Sequence, residues 1–516
     1  MKDGRVDLII PVQEGPKYIV NSVSFPAIKV FTADELDPAL SLVSGMPFSS
    51  KKVRDDVRMI RSYYGSRGYA DAGVIPDIRQ AGAGRVNISY QIIPGGRYKV
   101  GRVNIDGNIK SQDRVIRREL PMTPGENFNS VDLETAKRRL QNLNYFGDIQ
   151  ISESKSSQPG YRDVNILVQE KRTGTINFGL GLSSVDNIVG FVTLEQENFN
   201  LLNPWNFTGA GQRFSMTLRA GAERKDFRVS LTEPWFMGKK LSLGTELYYR
   251  DLLYLSDEYD QTNIGTAVFL RKPLGRTSYA KLEYRIEDIE VKTETQTPGD
   301  FFYDNFNGDF LRSAVTLEYV YDSRDSNVNP RKGSKVEAGV TLSGGVLGGD
   351  VDTFSFNFAG SKHWNLAWDT ILTLRGAVNV ADAYDGNGVT GDVPIFDRQF
   401  LGGQRDLRGF EYRDIGPRDP ETNEVYGGGT AVFGSVEYTF PLVETVRGAV
   451  FYDVGFVNAD AWELGPDELY SDAGFGVRMN LPGIGPLAVD YAIPIQSPDP
   501  AAENGGQFNF YLNYQF

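Results

Sequence analysis

The sequence predicts repeated α+β units followed by an all-β transmembrane barrel of about 16 antiparallel strands. Three observations lead there. Residues 1–172 carry a repeat with a period of about 80. The helical period disappears after Thr173, and from there polar and apolar residues alternate almost to the last residue. A chain of 516 residues is too long for one ordinary core. Its 56 glycines and 12% aromatic content favour β architecture with turns and close strand approaches. No uninterrupted apolar run of about 18 residues occurs, so no transmembrane helix is encoded. Cysteine is absent, which removes disulfides and thiolate metal sites. A net charge of −13 argues against a nucleic-acid partner, because phosphate binding needs clustered Lys and Arg.

The repeat can be followed residue by residue. Val6-Asp-Leu-Ile-Ile-Pro-Val-Gln-Glu-Gly15 matches Val86-Asn-Ile-Ser-Tyr-Gln-Ile-Ile-Pro-Gly95, and Val164-Asn-Ile-Leu-Val-Gln-Glu-Lys171 is a third copy. Three closing strands with two complete units between them divide the chain into the end of a truncated unit at 1–15, units at 16–95 and 96–172, and the barrel at 173–516. Met1 is followed by Lys-Asp-Gly and a strand with no signal-peptide apolar region, so the natural start is expected to lie further upstream.

Each unit reads β-α-α-β-β. Thr32-Ala-Asp-Glu35 has the spacing of a capping box, although Pro38 argues against a regular helix beyond it. A second helix follows Ser49 and Ser50, with Val53, Val57, Ile60 and Tyr64 on one face. Leu133, Ala136, Leu140 and Leu143 supply the equivalent stripe in the next unit. Such stripes pack helices onto a small sheet, which leaves sheet edges as the place for binding.

In the barrel, Ala280, Leu282, Tyr284 and Ile286 alternate with Lys281, Glu283, Arg285 and Glu287, and Phe354, Phe356 and Phe358 with Ser355, Asn357 and Ala359. Charges on one face make sense if that face lines water while the other touches hydrocarbon. A soluble β-solenoid or sandwich also alternates, but long strands joined by turns and ending in an aromatic strand suit a barrel better. Hydrocarbon offers no partner to an unpaired amide, so the first strand, about 175–183, must meet the last, about 508–516. This seam is unequal. The first strand carries Phe178 between Thr175 and the glycines Gly179 and Gly181, which weaken strand order; the last carries Phe508, Phe510, Leu512 and Phe516 on one face.

These features resemble the BamA family of outer-membrane assembly factors, in which POTRA domains precede a 16-stranded barrel. The junction Val168-Gln-Glu-Lys-Arg-Thr-Gly-Thr-Ile-Asn-Phe-Gly-Leu-Gly-Leu-Ser-Ser-Val-Asp186 is similar to that family's crossing from its last POTRA domain into the barrel. Glu197-Asn-Phe199 and Leu231-Thr-Glu-Pro-Trp-Phe236 are similar to its early strands. Leu401-Gly-Gly-Gln-Arg-Asp-Leu-Arg-Gly-Phe410 resembles its long sixth extracellular loop, with the Arg-Gly-Phe motif at Arg408, Gly409 and Phe410, and Phe451-Tyr-Asp-Val-Gly455 its Phe-x-Asp-x-Gly motif. The turn Asn200 to Gly209 is longer than the family pattern.

The segment Ala381 to Gly428 is too long for a hairpin. If it folds back into the lumen, the Arg408 guanidinium needs a carboxylate, and Asp453, inward by alternation and part of the motif with Gly455, is the first candidate. Asp490 is a second candidate by position. The resemblance implies a non-enzymatic insertase that assembles β-barrel proteins through a lateral seam formed by Phe178, Gly179 and Gly181 with Phe508, Phe510, Leu512 and Phe516. It implies the outer membrane of a Gram-negative bacterium, with the POTRA domains in the periplasm. The implied partners are the lipid bilayer, unfolded β-barrel clients, accessory lipoproteins and periplasmic chaperones. A TamA-type translocation factor or a two-partner secretion transporter shares the architecture and remains the alternative.

Catalysis and cofactors find little support. The single histidine, His363 beside Trp364, has no Gly-x-Ser-x-Gly elbow to serve. Asp322 to Asn329 lacks the ordered ligand pattern of a calcium loop and reads as turn chemistry. No phosphate-binding glycine loop is present, and no cofactor or metal is expected. Trp205, Phe207, Trp235, Phe236, Trp364 and Trp368 cluster near expected periplasmic turns, where aromatic rings anchor barrels at the interface.

Overall fold

The repeat units and the barrel resolve into two compact parts, Met1–Thr173 with Thr208–Ala210, and Gly174–Phe207 with Gly211–Phe516. The structure is a computed structural model that describes residues 16–26, 28–185, 187–253, 255–384, 393–443, 445–481, 485–498 and 505–512. The partial unit expected at 1–15 and the seam residue Phe516 lie outside the described residues.

The first part contains β1 (Ile19–Ser24), α1 (Ala33–Leu36), α2 (Ser50–Gly65), β2 (Gly73–Gln80) and β3 (Arg85–Ile93). The order then repeats as β4 (Lys99–Asp106), α3 (Asp113–Arg117), α4 (Ser130–Asn142), β5 (Phe146–Lys155) and β6 (Tyr161–Glu170). In each sheet the strand last in sequence lies in the middle, parallel to the first and antiparallel to the second. The capping box forms, with Glu35 accepting from the Thr32 amide at 2.7 Å. Pro38 then ends regular helix at Leu36, and the chain tightens into a 3₁₀ turn over Asp37–Ala39. Along α2, Val53, Ile60 and Tyr64 are buried against the sheet, and so is Asp56. That carboxylate is satisfied by the Ser41 and Leu42 amides at 2.6 and 3.3 Å and by the Tyr90 hydroxyl at 2.9 Å. A polar residue on a core-facing stripe is therefore the clasp that holds the 41–42 segment to helix and sheet. Ala136 and Leu140 are buried on α4, with Leu133 and Leu143 packed at the edge of the same core.

The two repeats meet at Asp71. Its carboxylate accepts from the Tyr98 hydroxyl at 2.7 Å and pairs with Arg162, whose guanidinium lies 4.6 Å from the Tyr98 ring centroid. The Tyr98 amide donates to the Gly68 carbonyl at 2.8 Å, so backbone and side chains join the repeats at the same point.

The second part is a closed barrel of 16 strands in sequence order. Its strands are β7 (Gly174–Ser183), β8 (Asn187–Phe199), β9 (Gln212–Gly221), β10 (Arg224–Glu233) and β11 (Ser242–Leu252). They continue with β12 (Tyr259–Pro273), β13 (Ser278–Thr293), β14 (Gly308–Asp322), β15 (Gly333–Ser343), β16 (Thr353–Asn365) and β17 (Ile371–Ala383). The circuit ends with β18 (Thr430–Val443), β19 (Val446–Asn458), β20 (Tyr470–Leu481), β21 (Gly485–Gln496) and β22 (Gln507–Leu512). A short helix, α5 (Phe301–Phe306), caps the β13–β14 loop and packs its phenylalanines on Tyr259, Ile289 and Ile395. All neighbouring pairs are antiparallel. The alternation sorts as hydrocarbon demands: Leu247, Leu282, Leu317, Val436 and Val450 are exposed outside, whereas Asp226, Glu283 and Glu287 are buried on the inner wall. Trp205, Phe207, Trp235, Phe236, Trp364 and Trp368 all fall at the barrel end from which β7 sets out, in or beside its turns.

The Asp71 joint carries a pH signature. The Tyr98 hydrogen bond first, and Arg162 second, hold its carboxyl below the ordinary 3.8, so its contribution is complete above that value and lost as pH falls through the lowered one. Amides of 68–73 and 97–99 should therefore lose protection from hydrogen exchange between about pH 5 and pH 2.5, after correction for intrinsic rates. Asp71→Asn should give the unprotected behaviour at both values, and equal protection in variant and parent would contradict this role for the carboxylate.

Candidate functional site: the inner loop and the seam

Leaving β17, the chain makes a long excursion before β18, and its described part, 393–429, folds onto the inner wall. Leu401, Leu407, Phe410 and Ile415 pack with Ala431, Val457 and Tyr470, which all point inward by the alternation of their strands. Further along the wall, Asp397 pairs with Arg312 on β14 at 2.9 Å and accepts from Thr353 on β16 at 2.8 Å. Arg413 reaches Tyr259 on β12 at 2.8 Å.

Arg408, 2% exposed, is the most buried of the charged anchors. Its Nε and Nη2 donate to Asp453 Oδ2 and Oδ1 at 2.7 and 3.0 Å, a bidentate pair. Nη1 donates to Glu437 on β18 at 2.6 Å and lies 3.8 Å from Asp490 on β21. The guanidinium stands 3.3 Å from the centroid of the Phe451 ring. Arg478 on β20 completes the cluster, donating to Glu437 at 2.9 Å and Asp490 at 2.6 Å. One loop residue is thus tied to three strands, and Glu437 and Asp490 are shared between two arginines. These five charges are tolerated in the interior because each has an opposite charge beside it.

The motif neighbours have separate tasks. A side chain at Gly409 would meet Asp472 Cβ at 2.5 Å, and one at Gly455 would meet Leu407 Cδ1 and the Val432 carbonyl at 2.8 Å. The loop can approach the wall only at bare backbone. Phe410 is buried edge-on to Tyr470, with ring centroids 5.6 Å apart. Sequence reasoning missed Glu437, Arg478, Asp472 and Asn509. Each is inward by strand parity, but parity alone does not bring residues of three strands together around one loop arginine.

Asp472 is the unbalanced member. It lies opposite Asp453 in register, and both its carboxylate oxygens are buried without a protein hydrogen-bond partner.

At the seam, the described residues of β7 and β22 share two register pairs, Tyr511 with Ser183 and Leu512 with Leu182. One further bond runs from the Ser184 amide to the Phe510 carbonyl at 3.2 Å. On its other side β7 pairs with β8 over its full length, Gly174 to Ser183. Phe178 is 81% exposed on the outer face, with Phe508 also exposed there. Gly179 and Gly181 belong to the other face, and the Phe191 ring occupies the space a side chain at Gly179 would need.

The remaining candidates are not assembled into chemistry. His363 Nδ1 lies 3.0 Å from Thr373 Oγ1 on the neighbouring strand. Asp325 accepts the Arg331 and Lys332 amides at 2.9 and 3.2 Å, which is turn chemistry. No metal-holding group of His, Cys, Asp and Glu occurs among the described residues.

Paired α+β repeats, a closed antiparallel barrel and an arginine-latched inner loop define a transmembrane barrel with repeat domains at its entry strand. Residues 206–516 match the Omp85 superfamily domain, and 18–95 and 98–171 each match the POTRA model, described as a surface antigen variable number repeat. The chain belongs to the Omp85 superfamily.

Among relatives, the outer membrane protein assembly factor BamA of Nitratidesulfovibrio vulgaris is 26% identical over 520 residues, covering 98% of this chain and 63% of that protein. BamA of Neorickettsia risticii is also 26% identical, over 509 residues, covering 95% and 65%. The chain thus spans a little under two thirds of these relatives. A crystal structure of BamA from Haemophilus ducreyi lacking POTRA domains 1-3 matches with a TM-score of 0.80 at 21% identity, covering 96% of this chain and 99% of that one. CdiB from Escherichia coli matches with a TM-score of 0.54 at 14% identity, covering 98% and 92%. These structural likenesses concern the fold.

Removing Arg408 leaves Asp453 buried without its counter-charge. Arg408→Ala should therefore cost about 3–5 kcal/mol of loop docking, seen as proteolysis within 411–424 of the detergent-folded barrel. Asp472→Asn, which sets an amide donor in place of a second carboxyl opposite Asp453, should protect the same segment. Equal cleavage in all three proteins would refute the latch.

Proposed function

We propose that this chain assembles β-barrel proteins into the outer membrane, acting as a template for strands and performing no covalent chemistry. The barrel spans the outer membrane, and the POTRA domains stand in the periplasm. The observation that supports the reading is the seam itself: the barrel closes where its first strand, the glycine-bearing β7, meets its last, β22, with Tyr511 opposite Ser183 and Leu512 opposite Leu182, while the other edge of β7 is paired with β8 throughout. Edge amides of β7 released from β22 can pair with an arriving client strand by β-augmentation. The client backbone is then satisfied before it meets lipid, which avoids a cost of several kcal/mol per orphan group. Phe178, Gly179 and Gly181 on one side and Phe508, Phe510 and Leu512 on the other form the lateral gate.

Clients are unfolded β-barrel chains delivered through the periplasm. Accessory lipoproteins and periplasmic chaperones are the further partners, and POTRA sheet edges are where clients and lipoproteins would dock. Arg408, with Asp453, Glu437 and Asp490, braces the wall on one side of the gate while the seam moves.

The native chain is free of cysteine, which permits a clean test. Ser183 and Tyr511 are directly opposed across the seam. Oxidation of Ser183→Cys with Tyr511→Cys should stop insertion of a client barrel into liposomes, and reduction should restore it. Insertion that proceeds at the same rate through a locked seam would rule out the gate.

A further inference from the structure

The inner loop and the seam are joined by one side chain. Asn509 projects inward from β22 and is 6% exposed. Its Nδ2 donates to the Arg408 carbonyl at 2.7 Å, and its Oδ1 accepts from the Ser184 hydroxyl, just past the end of β7, at 3.5 Å. A carboxamide carries a donor and an acceptor on one planar group, so a single residue can hold the loop with one end and the opposite strand with the other. A second contact runs in parallel, from Gln507 Nε2 to Glu411 Oε1 at 3.4 Å.

The placement of the acceptor is not accidental. The Arg408 carbonyl stands where Asn509 can reach it because the same residue's guanidinium is fixed to β18 and β19 and lies beside Asp490 on β21. The last of these neighbours β22, and Asp490 and Asn509 are opposed in register.

We propose that Asn509 is a positioning residue that makes loop docking and seam closure one equilibrium. This rests on the seam being the working site. Undocking Arg408 removes the acceptor that holds β22 inward, and peeling β22 from β7 withdraws the donor that holds the loop. The coupling is reciprocal, as any linkage between two states must be. In functional terms, a client that displaces β22 releases the brace, and a docked brace resists idle opening.

The test uses two single-cysteine reporters in the full chain, folded in bilayers with no client present. Ser183→Cys is buried at the seam and becomes reactive to a maleimide when the seam opens. Val457→Cys is covered by the loop and becomes reactive when the loop undocks. Asn509→Asp keeps the size and loses the donor. It should raise labelling at both reporters about three- to tenfold, the range that one buried hydrogen bond supports. Once Arg408→Ala has undocked the loop, adding Asn509→Asp should change Ser183→Cys labelling by less than about twofold, because the two act along one path. If Asn509→Asp does not give a heat-modifiable folded barrel, Asn509→Ser, too short to reach the carbonyl, takes its place with the same expectation. Labelling that rises at the seam with Val457→Cys unchanged, labelling unchanged at both, or effects that multiply in the double variant would each overturn the coupling. A gate that proved irrelevant to insertion would leave these labelling results untouched, so the two ideas fail separately.

Discussion

Every backbone amide that faces hydrocarbon must find a partner within the protein, and this constraint organises the whole barrel. It requires the sheet to close, which makes β7 and β22 neighbours although they lie at opposite ends of the barrel sequence. It also makes closure depend on β7, a strand weakened by Gly179 and Gly181. A barrel with uniform joints would be an inert wall. Under the proposed function, this joint is the one that supplies an edge to a client strand.

The inner loop offsets that weakness from the opposite side. Charges on the inner wall would be costly if left alone, and they are useful when shared: Asp453, Glu437 and Asp490 are divided between Arg408 and Arg478. The result ties β18, β19, β20 and β21 through side chains as well as ladder bonds, so this side of the seam is stiff up to the last pairing. Gly409 and Gly455 are the sequence cost of bringing the loop close enough to do so.

Much of this was legible because it is periodic or local. The two-residue alternation identified strands and their faces, Thr32 and Glu35 marked a capping box, and Arg408, Gly409 and Phe410 announced themselves through a resemblance in which Asp453 was the expected mate. What escaped was relational. Asp56 sits on a helix stripe that reads as apolar, and its value lies in three donors from elsewhere in the fold. Glu437, Arg478, Asp472 and Asn509 gather around Arg408 and its partners only because register across neighbouring strands sets them there, and no spacing along the chain encodes that placement. The α5 helix was also missed; its Phe-Phe-Tyr-Asp-Asn-Phe run is too short to declare a period and is held by packing on Tyr259 and Ile289. Leu512 was placed in the gate by its position in the last strand, and the structure sets it opposite Leu182.

The central claim is that the joint between β7 and β22 is the weakest in the barrel. Hydrogen exchange of the chain in lipid nanodiscs measures this directly, strand by strand. The account predicts that seam-facing amides of 175–181 exchange at least about tenfold faster than the central amides of β12 and β13, which pair along their full lengths. Equal protection at the seam and in β12 and β13 would contradict it.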